Sequence, residues 1–192
     1  MAQPIIHNPV QFFVGVIISE MELWDNISRA ISSNWGEIEF SSEKVDFDQF
    51  TQYYQSEMGT GLTRFWFALE GIRFPDDLIR IKWSCTAIEN SLTQDKNRRV
   101  NLDPGYITEA KVILASFKDF AHRIYLTEGV YADMQLIWRD GKFIPREWTF
   151  ADYRSDIAQK FFTRLRETYR RKLKLYIQGE LEPIRGGGKI HR

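Results

Sequence analysis

The densest grouping of residues able to do acid–base or anion-binding chemistry lies between Arg98 and Leu126, RRVNLDPGYITEAKVILASFKDFAHRIYL. His122 is the histidine inside it, a residue type suited to proton transfer near neutral pH once a carboxylate such as Asp103 lies near it. These two form the candidate catalytic pair. Asn101, Gly105, Lys118, Asp119, Arg123, Tyr125 and Arg154 are the candidate ligand-binding residues, joined by Tyr54 and Glu57 from an upstream polar-aromatic loop. Arg123 can grip a phosphate or carboxylate through two parallel N–H donors, which lysine cannot reproduce. The ligand this points to is a small anion, phosphate- or carboxylate-bearing, a nucleotide included. No cofactor is indicated, and no reaction is assigned. A structural reading stands beside the functional one. His122 alternates with Ile124 and Leu126, which on a strand turns it towards an apolar face, and the arginines can be paired or solvated.

Positioning these groups falls to the elements around them. Arg98 to Leu102 has strand composition, and Asp103-Pro104-Gly105 supplies the residues of a tight turn. Thr108 suits the N-cap of a short helix, Glu109 to Ser116, whose first-turn N–H groups and dipole would favour an anion. A helix of eight residues spans about 12 Å. It would return the chain to Lys118 and Arg123 beside the turn.

The rest of the chain reads in the same way. Phe12 to Ile18 is a buried strand, and Ser19 with Glu22 makes a capping box for a helix ended by Gly36. A second strand, Glu37 to Val45, precedes the loop Asp46 to Gly59. Thr63 to Gly71 alternates as a strand, and Pro75-Asp76-Asp77 opens a helix with the core stripe Leu78, Ile81, Cys85, Ile88 and Leu92. The order β-α-β-β-α-β predicts an α+β protein with a ferredoxin-like (split βαβ) core and an antiparallel or mixed sheet, its helices largely on one face. Phe13 and Phe67 are expected beside that stripe. An added meander covers Ala121 to Ile144, with Ala132, Met134, Leu136 and Trp138 on one face and a hairpin at Asp140-Gly141. Thr149 or Ser155 caps a long C-terminal helix to Tyr176 with the stripe Ile157, Phe161, Leu165, Tyr169 and Leu173. Residues 1–178 are expected as one domain, and 179–192 as a flexible basic tail.

Composition narrows the function classes. Of 192 residues, 43% are hydrophobic and 15% aromatic, enough for a sizeable core. One cysteine excludes an internal disulfide and a thiolate metal cluster, and its place on the helical stripe marks Cys85 as a buried thiol. The apolar run Val10 to Ile18 is too short to span a membrane, so a cytoplasmic protein without membrane contact is expected. A Mg²⁺ site of Asp46, Asp48, Glu57 and Asp103 is possible in composition, but solvated loop acids account for them as well, and no metal is assigned. Charge is balanced at 26 basic and 26 acidic residues, yet ten basic and three acidic ones lie from Lys160 onward. This gives a second reading: a nucleic-acid or acidic-protein binding module acting through Arg164, Arg170, Arg171 and Lys174. Acidic partners over those side chains would favour the small-ligand site; an open stripe would favour the module. Oligomeric state is not legible.

NLDPGY at 101–106, KDFAHRIYL at 118–126 and WTFADYRS at 148–155, with FTQYYQSEMG at 50–59, resemble the prokaryotic family catalogued as domain of unknown function number 4416. The resemblance runs from about Phe12 to Tyr169 and implies no activity. Some relatives carry the label "GTP-binding protein". The phosphate loop such a label needs is GxxxxGK[ST] between a strand and a helix, and the only comparable run here is Gly186-Gly187-Gly188-Lys189, followed by Ile190.

Overall fold

The computed structural model describes residues 3–95 and 97–186. Nine strands form one antiparallel sheet: β1 (Gln11–Ile18), β2 (Ile38–Ser41), β3 (Val45–Asp46), β4 (Thr63–Leu69), β5 (Val100–Ile107), β6 (Lys111–Ser116), β7 (Ile124–Thr127), β8 (Val130–Arg139) and β9 (Lys142–Pro145). The order is β2-β4-β1-β5-β6-β8-β7, with β3 on β4 and β9 on β8. The helices are α1 (Trp24–Trp35), the single turn α2 (Gln55–Met58), α3 (Asp77–Ser91) and α4 (Asp156–Ile177). This is an α+β protein with a large antiparallel sheet and a long C-terminal helix.

Both faces of the sheet are covered. Phe12, Val14, Val16 and Ile18 of β1 point to one side, where Phe65 and Phe67 meet Ile27 and Ile31 of α1 and Leu78, Ile81 and Cys85 of α3. Alternate residues point the other way. Phe13, Trp66, Leu114 and Phe143 pack there on Phe161, Phe162, Leu165 and Tyr169 of α4. Phe13 is therefore not beside the α3 stripe, as expected, but on the opposite face, because successive strand side chains alternate. Cys85 is fully buried, and burial pushes its thiol well up, as a structural cysteine requires. Ser19 does not form a capping box; its hydroxyl donates to the Arg99 carbonyl, and a 3₁₀ turn at Met21–Leu23 leads into α1. Ser155 does cap α4, accepting from the Ala158 N–H.

The largest correction falls on the central motif. There is no turn at Asp103-Pro104-Gly105 and no helix over Glu109 to Ser116. β5 runs straight through the turn-like residues, and Lys111–Ser116 is β6. The reversal is at Thr108, whose hydroxyl accepts from the N–H groups of Ala110 and Lys111 and closes a hairpin. Val112 and Leu114 enter one core while Ile113 and Ala115 enter the other. A strand buried on both faces reads as a continuous apolar run, and its period of two is hidden.

Proline inside a strand removes one ladder donor. The N–H of Leu102 points away from β1, to a carboxylate of α3. Alternation places the missing N–H of Pro104 on that same side, facing β6. The β5–β6 register accordingly covers only Gly105↔Leu114 to Ile107↔Val112, whereas β1 pairs with β5 from Val100 to Ile107. The two strands part at the proline.

The meander departs from expectation at one residue. Val112 pairs with Leu136 but Ile113 with Met134, so Gln135 is bulged out of the ladder. Ala132 and Met134 therefore face the α1/α3 side, and Leu136 and Trp138 the α4 side, rather than all four sharing a face. Asp140 and Gly141, at φ 51° and 79°, form the expected hairpin. After Gly179 the chain runs back along the domain, where the Ile184 N–H donates to the Ile72 carbonyl at 2.9 Å and Arg73 Nη1 to that of Gly186 at 2.7 Å.

Gly105, a predicted ligand residue, serves packing instead. A Cβ there would lie 2.3 Å from the Ile113 carbonyl oxygen and 2.6 Å from the Phe13 ring. Gly105→Ala is expected to destabilise the protein by about 3 kcal/mol, the upper end for overpacking, because backbone must give way. The midpoint of urea unfolding measures it.

Candidate functional site

A cavity of about 640 Å³ opens where β5 and β6 separate. That volume is in the range of small-molecule sites. Its walls come from both sides of the sheet: α3 supplies Lys82 and Glu89, β4 supplies Arg64, and the segment before α4 supplies Phe150 and Asp152. The loop before α2 and the β6–β7 loop form the rim.

The parted strands leave the Leu102 peptide without a ladder partner, and α3 supplies one. Glu89 Oε1 accepts from the Leu102 N–H at 2.5 Å, and Lys82 Nζ donates to the Leu102 carbonyl at 3.4 Å. Lys82 also lies 3.5 Å from Asp103 Oδ1. Burial pushes the Glu89 carboxyl up to about 7, against the pull of Lys82 and the Leu102 N–H.

Arg64 forms the floor. It is 1% exposed, and its Nη2 lies 2.7 Å from Asp152 Oδ2. Its guanidinium carbon sits 4.4 Å from the centre of the Trp66 ring. Burial disfavours its charge, but Asp152, Tyr153 and Asp103 more than offset this and hold it protonated. The room it occupies exists because residue 15 is glycine: a Cβ there would come within 2.9 Å of both Nη atoms. Arg64 Nε and Nη1 and the buried Trp66 Nε1 lack a well-aligned acceptor among the described residues, and the buried Tyr153 hydroxyl beside them interacts with both Arg64 and Trp66. Buried donors without good acceptors are costly, and three donors around one phenol oxygen mark a place short of acceptors.

Several of the candidate residues meet here. Asn101, Asp103, Lys118, Arg123 and Tyr54 line the cavity. Asn101 Nδ2 donates to Asp103 Oδ2 at 2.6 Å and its Oδ1 accepts from Arg98 Nη1 at 2.8 Å. Glu57 stands just behind, taking both Nε and Nη2 of Arg98, and this pairing holds the Glu57 carboxyl below its usual range. Burial pushes the Tyr54 phenol far up, so it stays neutral. Lys118 Nζ donates to the exposed Tyr53 hydroxyl at 2.9 Å.

The other candidates stand apart from the cavity. His122 is not on a strand but in the loop before β7, stacked between Phe120 and Trp148, with Nε2 3.5 Å from Asp133. It lies outside the cavity lining, as does Asp119, and His122 and Asp103 are not paired. Tyr125 is exposed on β7 against Tyr131. Arg154 is spent on the carbonyls of Thr149, Arg146 and Glu147. Arg123, expected as the ligand clamp, is committed to the protein: its Nε lies 2.6 Å from the buried Asp133, and its Nη1 donates to Ser116 Oγ and the Lys118 carbonyl. It fixes the β6–β7 loop that forms the rim.

Arg64, Lys82, Glu89 and Asp152 were not among the candidates, although three left a trace in the sequence. Gly15 interrupts the apolar β1, and Lys82 and Glu89 recur at core spacing with Leu78 and Cys85. The suggested carboxylate set does not converge: Asp46 accepts from the Asp48 N–H, Asp48 from Gly61, and Glu57 binds Arg98. Among the described residues no group of three or more His, Cys, Asp or Glu is placed to hold a metal.

Of Arg164, Arg170, Arg171 and Lys174 on α4, all exposed, Arg170 is the one with an ion pair among the described residues. Arg171 donates to Thr168 of its own helix, and Lys174 has no carboxylate within 4.0 Å among those residues. Arg164 lies over the Phe40 ring, Arg166 over Trp138 while donating to the Glu109 carbonyl, Arg170 pairs with Glu109 and Lys172 with Glu39. The glycine-rich run lies outside the described residues apart from Gly186. Among the described residues no helix is long and apolar enough to cross a membrane.

Fold and cavity thus describe an α+β protein with a charged and aromatic pocket at a break in its sheet. The chain belongs to the family described as Domain of unknown function (DUF4416), whose model matches residues 8–169. No curated protein and no solved structure matches it significantly.

Two outcomes check the electrostatics. Between its ordinary value of 4.5 and about 7, Glu89 holds in the folded state a proton that the unfolded chain has released. Stability should therefore fall as pH rises through that window. Glu89→Gln removes this slope, and urea unfolding at pH 5 and pH 8 should show the parent losing on the order of 2 kcal/mol more than the variant. Arg123→Lys, which cannot keep the fork on Asp133, should cost about 2 kcal/mol, read as a lowered melting temperature.

Proposed function

We propose that this protein binds a small organic anion in the cavity at the β5–β6 split, with Arg64 as the buried anchor and Lys118 at the rim. The observation that carries the reading is the Arg64 guanidinium, buried in the cavity floor with Nε and Nη1 lacking a well-aligned acceptor among the described residues. A buried guanidinium retains such donors at a cost unless an acceptor completes them, and an oxyanion is the acceptor best matched to its charge. Asn101, Asp103 and Lys82 position the polar wall, and Tyr54 presents a ring. Among the residues first considered for acid–base chemistry, Asp103 remains at the site as a positioning group. Arg123 acts through the loop it secures.

The fold reading goes with this. The strand order β2-β4-β1-β5, all antiparallel, with α1 and α3 packed together on one face, supports reading these elements as a split βαβ core. In this reading β6 to β9 extend that core, and the cavity forms at the seam between core and extension.

The test is ligand-dependent thermal stabilisation of the whole chain. A bound anion at saturating concentration should raise the melting temperature by about 5 °C or more. Arg64→Lys, which keeps charge but loses the planar fork, should abolish the rise, and so should Gly15→Ala, which keeps the arginine but pushes its guanidinium out of its seat. A rise that survives both substitutions would put the anion elsewhere.

A further inference from the structure

The charges around the cavity restrict what kind of anion it can take. Of the five cations lining it, four are already matched: Arg64 by Asp152 at 2.7 Å, Lys82 by Asp103 at 3.5 Å, Arg98 by Glu57 at 2.6 Å and Arg123 by Asp133 at 2.6 Å. Lys118 is the fifth. Among the described residues it has no carboxylate within 4.0 Å, and its hydrogen-bond partner is the Tyr53 hydroxyl. Glu89, pushed up to about 7 by burial, carries part of a negative charge at neutral pH. At most one positive charge is therefore uncompensated. A ligand with a single negative charge completes the balance. A second or third charge would be desolvated beside Asp103 and Asp152 with no counter-ion left to meet it.

The remainder of the wall is aromatic. Phe47, Phe50 and Tyr53 come from the loop before α2, Phe117 and Phe120 from the β6–β7 loop, and Phe150 from the segment before α4. Four of these rings are 39–64% exposed. Three separate loops thus hold rings out to water around one opening, an arrangement that favours a flat, apolar partner stacked or edge-packed between them.

We infer that the ligand of this cavity is a monoanion carrying a planar ring, an aryl or arylalkyl carboxylate, and not a nucleotide or inorganic phosphate. The inference rests on the anion-site reading above and narrows it. The carboxylate meets the Arg64 guanidinium at the cavity floor and the excess charge of Lys118, and the ring fills the aromatic mouth.

Isothermal titration of the full chain at pH 7 tests it with benzoate, phenylacetate and indole-3-acetate, set against indole-3-acetamide, hexanoate, AMP and inorganic phosphate. The best of the three aryl acids should bind at least about tenfold more tightly than each of the other four probes. Lys118→Gln, an exposed change that leaves the fold alone, should weaken that acid about tenfold and leave indole-3-acetamide unchanged. AMP or phosphate binding as tightly as the best aryl acid, and lost in Arg64→Lys, would overturn the ligand class while leaving the anion site in place. Equal binding of the amide or of hexanoate would overturn it too. If none of the anions binds, the anion-site reading falls together with it.

Discussion

The open edge of β5 is the constraint on which the rest of the site depends. Pro104 has no N–H to give to β6, and the strands separate there. The Leu102 peptide beyond it is left facing an interior rather than a neighbouring strand. An unpartnered buried peptide group costs about 1–3 kcal/mol, so the fold must supply donors and acceptors from elsewhere. Glu89 and Lys82 do so from α3, and in doing so they bring a carboxylate and an ammonium to the edge of the sheet. The cavity is a consequence of this substitution of side chains for a strand.

Once the sheet is open, its far face supplies the floor. Arg64 and Asp152 are both buried, an arrangement that is expensive in an apolar core unless the pair is tight and hydrogen-bonded. Here the pair is tight, but the guanidinium is incompletely hydrogen-bonded, and Gly15 provides its space. Charge and glycine belong together: neither the backbone of β1 nor the ring of Trp66 would otherwise admit a guanidinium at that depth. The rim depends on different interactions. Arg123 and Asp133 lock the β6–β7 loop, and the stack of Phe120, His122 and Trp148 stiffens it. A small cluster of Ile17, Phe47, Met58 and Leu62 anchors the loop opposite. Rigid supports under exposed rings reduce the ordering cost of binding.

The surplus of basic residues near the C-terminus illustrates how net charge along a sequence differs from charge on a surface. Arg164 and Arg166 lie over rings, and Arg170 and Lys172 meet acids of the sheet side. The opposite charges of the two parts of the chain are partly spent on each other. The unpaired cation that matters to the cavity is Lys118, which no local charge count distinguishes.

The sequence alone determined what is carried by short-range pattern. The strand β1, the helices α1, α3 and α4, the buried Cys85, the Ser155 cap and the Asp140-Gly141 hairpin all follow from residues within a few positions of one another. The region of the cavity was legible too, because Asn101, Asp103, Lys118, Arg123 and Tyr54 crowd the motifs that line it. Tertiary structure decided the rest. Asp-Pro-Gly carries turn propensity wherever it occurs, and only pairing with β1 on one side and the escape of β6 on the other makes it a strand. Lys111–Ser116 has the apolar content of a helix or a strand, and helices on both faces of the sheet hide the alternation that would distinguish them. Arg64 and Asp152 are 88 positions apart, and Glu89 meets the Leu102 N–H only after α3 has packed. Contacts made across such separations depend on the packed sheet, so the roles of Arg64 and Glu89 appear only in three dimensions.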